Sequence, residues 1–151
     1  MLAACSVFIP EEKPDERIKQ EERRHFIKNL AASAAGAYKV KDWAVAQQHY
    51  EMLIEKDPEN EVALYRLGNL AYRSNRIGDA ANYYETLLKI NPNHSLSHHN
   101  LAICRLIQAK KHLKLYAAMM DPALDRSSIE KVLSEIKSFA NNQSAYQKKK
   151  K

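Results

Sequence analysis

The chain has 151 residues, 45% of them hydrophobic, which is enough to bury a core and too many for a disordered chain. Three glycines and five prolines disfavour an all-β sandwich or barrel, which needs a turn signal every ~8–12 residues, and two cysteines exclude a disulfide-stapled scaffold. The net charge is +6, and Lys148 to Lys151 at the chain end supply four of those positive charges.

The chain opens Met1-Leu2-Ala3-Ala4-Cys5-Ser6. Leu-Ala-Ala-Cys resembles the lipobox of bacterial lipoproteins, where small residues precede a cysteine that becomes the lipidated N-terminus. The resemblance implies Cys5 as the lipid carrier. Ser6 is not the aspartate that typically holds such proteins in the inner membrane. A secretory signal places a charged region and an apolar stretch of ~7–15 residues before the cleavage site. Here four residues precede Cys5. Pro10, Pro14 and the polar Glu11-Glu12-Lys13 read as an extended spacer. Residues 1–14 are therefore expected to be a lipobox-like start and tether. Nowhere does an apolar run approach the ~20 residues that span a bilayer.

Asp15 to His25 is dense in charged and amide side chains, which predicts a solvated helix running into the next element. A 34-residue period follows. Asp57-Pro58 aligns with Asn91-Pro92, Tyr50 with Tyr84, Ala46 with Ala80, Leu53 with Leu87, Leu30 with Leu64, and Ala34 with Gly68. Ala46, Tyr50, Leu53 and Ile54 share one helical face, as do Ala80, Tyr84, Leu87 and Leu88. The alanine allows close approach of two helices and the tyrosine fills the space beside it. The residue before each proline is pushed out of the α region, which stops the helix.

This pattern resembles the tetratricopeptide repeat, a helix–turn–helix unit. Glu61 to His94 is the better match, through Leu64, Leu67, Gly68, Ala80, Tyr84 and Pro92. Its Tyr72 lies one place beyond the family's first-helix tyrosine. Ile27 to Asn60 keeps Leu30, Ala34, Ala46, Tyr50 and Pro58, with Ser33 in place of a leucine. A third unit begins at Ser95, keeps Leu101 and Ala102, and then loses register: Lys114 and Ala118 stand where a small and an aromatic residue belong. Residues 111–126 have no assigned fold. Ser127 and Glu130 have the spacing of a capping box. The stripe Ile129, Val132, Leu133, Ile136 and Phe139 reads residues 127–141 as a terminal capping helix. Residues 142–151 are expected to be a loose basic tail. The expected fold is all-α: two clear repeats, one degenerate repeat and a cap, spanning residues 15–141.

The resemblance implies a concave groove lined by first helices, with Lys28, Tyr38, Tyr65, Asn69, Tyr72, Arg73, His99 and Ile103 facing it. One subgroup of the family grips a C-terminal carboxylate with a Lys/Asn clamp. Only Asn69 matches, because Ala31, Ala35, His99 and Ile103 occupy the other clamp positions. Chaperone-tail binding of that type is therefore rejected. An aromatic groove with a few cations suits a peptide or an amphipathic helix.

His94, His98 and His99 lack a carboxylate or cysteine in their stretch to complete a metal site, and His98 reads as a partly buried packing residue. Cys104 reads as a small buried apolar residue. No phosphate-binding loop, dinucleotide fingerprint or nucleophile elbow occurs. The expectation is a protein-binding scaffold without catalysis, cofactor or metal. If Cys5 is lipidated, it would act on the periplasmic side of the bacterial outer membrane and aid pilus or secretion-complex assembly. The alternative is a cytosolic adaptor whose basic tail touches nucleic acid or anionic lipid.

Overall fold

The computed structural model describes residues 14–149, with side chains placed for residues 15–139. Cys5, the spacer before residue 14, and Lys150 and Lys151 lie outside the described residues. The described chain forms α1 (Pro14–Lys39), α2 (Trp43–Lys56), α3 (Glu61–Arg73), α4 (Ile77–Ile90), α5 (Ser95–Met119) and α6 (Ser127–Lys149). It divides into two compact units, one ending at Pro58 and one beginning at Glu59. In the first, α1 packs on α2. In the second, α3 packs on α4, α4 on α5, and α5 on α6.

The 34-residue period is written into the backbone. The first helix of each clear repeat ends in a turn with one left-handed residue, Lys41 at φ 64° and Asn75 at φ 57°. Asp57 and Asn91 end the second helices with matching backbone angles. Asn60 and His94 then cap the next helices, accepting from the N–H groups of Ala63 and Ser97. Asp42 caps α2 in the same way, through the N–H of Val45.

Packing repeats as well. Ala46 and Ala80, Tyr50 and Tyr84, and Leu53 and Leu87 are all buried. Each buried leucine contributes roughly 1.5–3 kcal/mol. Gly68 lies directly under the ring of Tyr84: a Cβ there would sit 2.5 Å from Cε1. In the first unit Arg23 reaches over to donate to the carbonyl of Lys56 at 3.1 Å, tying α1 to the end of α2. Lys19 pairs with Asp15 at 2.9 Å on the solvated face of α1, an i,i+4 contact that the charge pattern did not single out.

Four expectations change. The degenerate third repeat contains no internal turn: α5 continues for 25 residues, and only residues 120–126 form a connection. Neither glycine nor proline interrupts Ser95 to Met119, so nothing stops the helix. His98 is exposed rather than packed, with Nε2 against the carbonyl oxygen of Pro92 at 2.8 Å. Leu30 and Leu64, at the same position of the first two repeats, are buried. Ser127 is not the cap of α6 but its first residue, and both its N–H and its hydroxyl donate to the carboxylate of Asp125. These two bonds hold the Asp125 carboxyl below its ordinary range. Finally, α6 runs to Lys149, past the expected end at 141, because Gln, Ala and Lys there are compatible with helix.

Candidate functional site

The second unit places two first helices, α3 and α5, next to each other. On α3, Tyr65, Asn69 and Tyr72 lie at i, i+4 and i+7 and so form one row. Tyr65 and Asn69 are half-buried, while Tyr72 is 42% exposed and Arg73 beside it is exposed. On α5, His99 and Ile103 are half-buried.

The centre of this face is a polar cluster. Tyr84 projects from α4 and is fully buried, so its phenol must find a partner. Its O–H donates to Oδ1 of Asn69 at 2.8 Å. From α5, Nδ2 of Asn100 approaches the same Asn69 oxygen at 3.2 Å, the Tyr84 oxygen at 3.4 Å and the Tyr65 oxygen at 3.5 Å. The Tyr65 ring lies between those of Tyr84 and His94, with centroids at 6.1 and 5.3 Å. Nδ1 of His94 accepts the Ser97 N–H at 3.2 Å, which orients that ring.

These bonds use one end of each amide. Among the described residues, nothing pairs with Nδ2 of Asn69 or Oδ1 of Asn100. The cluster therefore presents one fixed donor and one fixed acceptor beside two phenol rings. That combination matches the N–H and C=O of a peptide main chain, with aromatic surface for a side chain.

Behind the row lies Cys104, fully buried and free of any disulfide. Burial raises its thiol pKa, opposed by Arg105 and a backbone hydrogen bond. The Tyr72 phenol is likewise raised, first by burial and then by Cys104. Both groups are neutral at physiological pH. Cys104 packs as a small buried apolar side chain.

The remaining candidates separate from this cluster. Lys28 is exposed on α1, in the first unit. Tyr38 is half-buried and packs edge-on against Trp43 at 5.3 Å and Tyr50 at 6.3 Å, within the α1–α2 hairpin. Asn100 was not among the sequence candidates. A 34-residue shift pairs it with Arg66, so the repeat register carries no signal for it. Among the described residues, no group of three or more His, Cys, Asp or Glu side chains could hold a metal ion.

Residues 37–104 match the family model of the tetratricopeptide repeat. No match was found among curated proteins. The match covers α2, α3, α4, the turns between them and the first ten residues of α5, and the shared turn geometry supports reading this segment as tetratricopeptide repeats. Repeats of this family bind protein partners, which places the chain among protein-interaction scaffolds.

Proposed function

We propose that this chain is a non-catalytic assembly scaffold of tetratricopeptide repeats that holds an extended peptide, or one face of a helix, on the α3–α5 surface. The observation that carries this reading is the Asn69–Asn100 amide pair. Tyr84 and the inter-helix hydrogen bond fix both amides before any partner arrives, so little side-chain entropy is lost on binding. Tyr72 and Arg73 extend the surface at its exposed end. Tyrosine supplies contact area with a polar tip, and arginine adds charge and donors. A micromolar affinity is about −8 kcal/mol, within reach of a few such anchors.

The test starts from a partner recovered by pull-down and mass spectrometry. Asn100→Ala, and separately Tyr72→Ala with Arg73→Ala, should weaken binding at least about tenfold while far-UV helicity is retained. Asn69 is left intact because its Oδ1 accepts from the buried Tyr84 O–H, so its loss would disturb the core as well as the surface. Deleting Lys148 to Lys151 should matter little at physiological salt, where exposed charges are screened beyond ~8 Å. The reverse pattern would replace this surface with the cytosolic-adaptor reading and its basic tail.

The setting we propose is the periplasmic face of a bacterial outer membrane, reached through a lipid on Cys5, where the scaffold would aid pilus or secretion-complex assembly. Leu2-Ala3-Ala4-Cys5 supports it. Expressed in a bacterium behind a complete signal, the chain should partition into detergent, and Cys5→Ala should make it soluble. Partitioning that ignores this substitution rules the lipid out.

A further inference from the structure

α5 is 25 residues long, whereas α3 has 13 and α4 has 14. At 1.5 Å per residue it is over 15 Å longer than either. The inward row of its first half, buried Ser97 and Cys104 with half-buried Leu101, continues along the helix into Leu115 and Met119, which are 50% and 78% exposed. Leu115 and Met119 form one i,i+4 row with Lys111 a turn before them. Lys110 and Lys114 lie in the adjacent row on one side, and His112 and Tyr116 in the adjacent row on the other. Tyr116 is 56% exposed.

The charge of this helix is one-sided. From Ser95 to Met119 there is no aspartate or glutamate. Arg105 pairs with Glu85 of α4, and among the described residues no carboxylate pairs with Lys110, Lys111 or Lys114.

We infer that the second half of α5 is a docking surface for an anionic lipid bilayer. A leucine–methionine row flanked by lysines and a tyrosine is the arrangement of a helix lying in the plane of a membrane interface. The apolar row enters the headgroup boundary. The lysine stems run along it and carry their ammonium groups up to the phosphates, and Tyr116 keeps its hydroxyl at the polar level. A second copy of the chain fits poorly, because apposing two such surfaces brings unpaired lysines together. A single helix face without a groove also gives a protein partner little shape to key on, whereas a bilayer needs only apolar side chains and charge.

The connection after α5 sets the orientation. Asp121 and Asp125 lie there, and each carboxylate is turned back on the chain, to the N–H of Ala123 and of Ser127. These anions oppose entry loop-first, so the helix lies flat. None of the described helices is long and apolar enough to cross the membrane. The contact is therefore superficial and salt-sensitive.

The experiment is co-sedimentation of the full chain, carrying Cys5→Ser to exclude any lipid, with vesicles of phosphatidylcholine alone or mixed with phosphatidylglycerol. Binding should appear only with phosphatidylglycerol and weaken as salt rises. The triple variant Lys110→Gln, Lys111→Gln, Lys114→Gln and the double variant Leu115→Ser, Met119→Ser should each reduce it at least about tenfold. Lys110 is half-buried and the other four positions are exposed, and circular dichroism checks that each variant folds. Removing Lys148 to Lys151 should leave most of the binding in place. Three results would overturn the inference: no binding to phosphatidylglycerol vesicles, equal binding by the triple glutamine variant, or loss confined to the tail deletion. So would dimerisation in solution that the double serine variant abolishes, since it would assign the face to a second copy.

Discussion

Gly36 and Gly68 are both helical glycines, and a methyl group added to each should act with opposite sign. At Gly68 the new Cβ would meet three ring atoms of Tyr84 at 2.5–2.9 Å. Tyr84 cannot simply swing away, because its hydroxyl is held by Asn69 and its ring is fully buried. Gly68→Ala should therefore cost roughly 1–3 kcal/mol as an overpacking change. At Gly36 nothing lies within 4 Å, so Gly36→Ala should stabilise by up to about 1 kcal/mol through helix propensity alone. Thermal melts of the two variants measure this; a Gly68→Ala melting temperature at or above that of the parent would refute the packing. The close approach at Gly68 was legible from its alignment with Ala34 and from the tyrosine sixteen residues on. The role of Asn100 was not: a 34-residue shift pairs it with Arg66, a residue of different chemistry. Only the observed adjacency of α3 and α5 brings it to the Asn69 amide. The edge-on contact of Tyr38 with Trp43 across the turn was likewise not legible, because the position matching Trp43 in the next repeat is Ile77.

The turns between paired helices show which element boundaries the chain specifies by itself. Both helix-ending signals before proline, at Asp57 and Asn91, act where the sequence places them. The left-handed residues are less obvious. Asn75 suits φ 57°, because asparagine tolerates the left-handed region, but Lys41 at φ 64° has no such excuse. A β-carbon in that region costs roughly 1–2 kcal/mol, and glycine recovers it minus the entropy of a freer unfolded chain. Lys41→Gly should accordingly stabilise the α1–α2 hairpin by about 0.5–1 kcal/mol, and Asn75→Gly should change α3–α4 by less. Chemical denaturation of the two variants provides the comparison, and an equal or reversed ranking would contradict it. The third repeat was illegible at this scale because register is not a stop signal: a helix continues until proline, glycine or a competing cap ends it. The start of α6 at Ser127 was legible, but the role of that serine was not. Asp125 offers a charged acceptor just ahead of Ser127, and the serine hydroxyl donates to it instead of capping.

Among the described residues the buried side chains are unevenly spread. α3 contributes Leu64, Leu67 and Leu70 to the core and α4 contributes Tyr84 and Leu87, whereas α5 buries only Ser97 and Cys104 fully and no described side chain of α6 is buried. In a repeat array each unit is held by its own packing and by its neighbours, so stability should follow this distribution rather than average over the chain. The second half of α5 and all of α6 rest on half-buried contacts, among them Leu113, Ala117, Ile129, Leu133 and Ile136. Opening that hairpin exposes little apolar surface and should cost much less free energy than unfolding α3 and α4. Native-state hydrogen exchange therefore ought to show the slowest amides in the interiors of α3 and α4, and amides of α5 beyond Gln108 and of α6 exchanging at least about tenfold faster. Fully buried positions such as Leu67 and Leu87 should report the global unfolding limit of the second unit. Uniform protection from α3 to α6 would mean that the hairpin is anchored by more than its own half-buried stripe. If the α5 surface docks on a membrane, adding phosphatidylglycerol vesicles should slow exchange beyond Gln108 while leaving α3 and α4 unchanged. The low intrinsic stability of this segment is then what lets a weak, salt-sensitive surface order it.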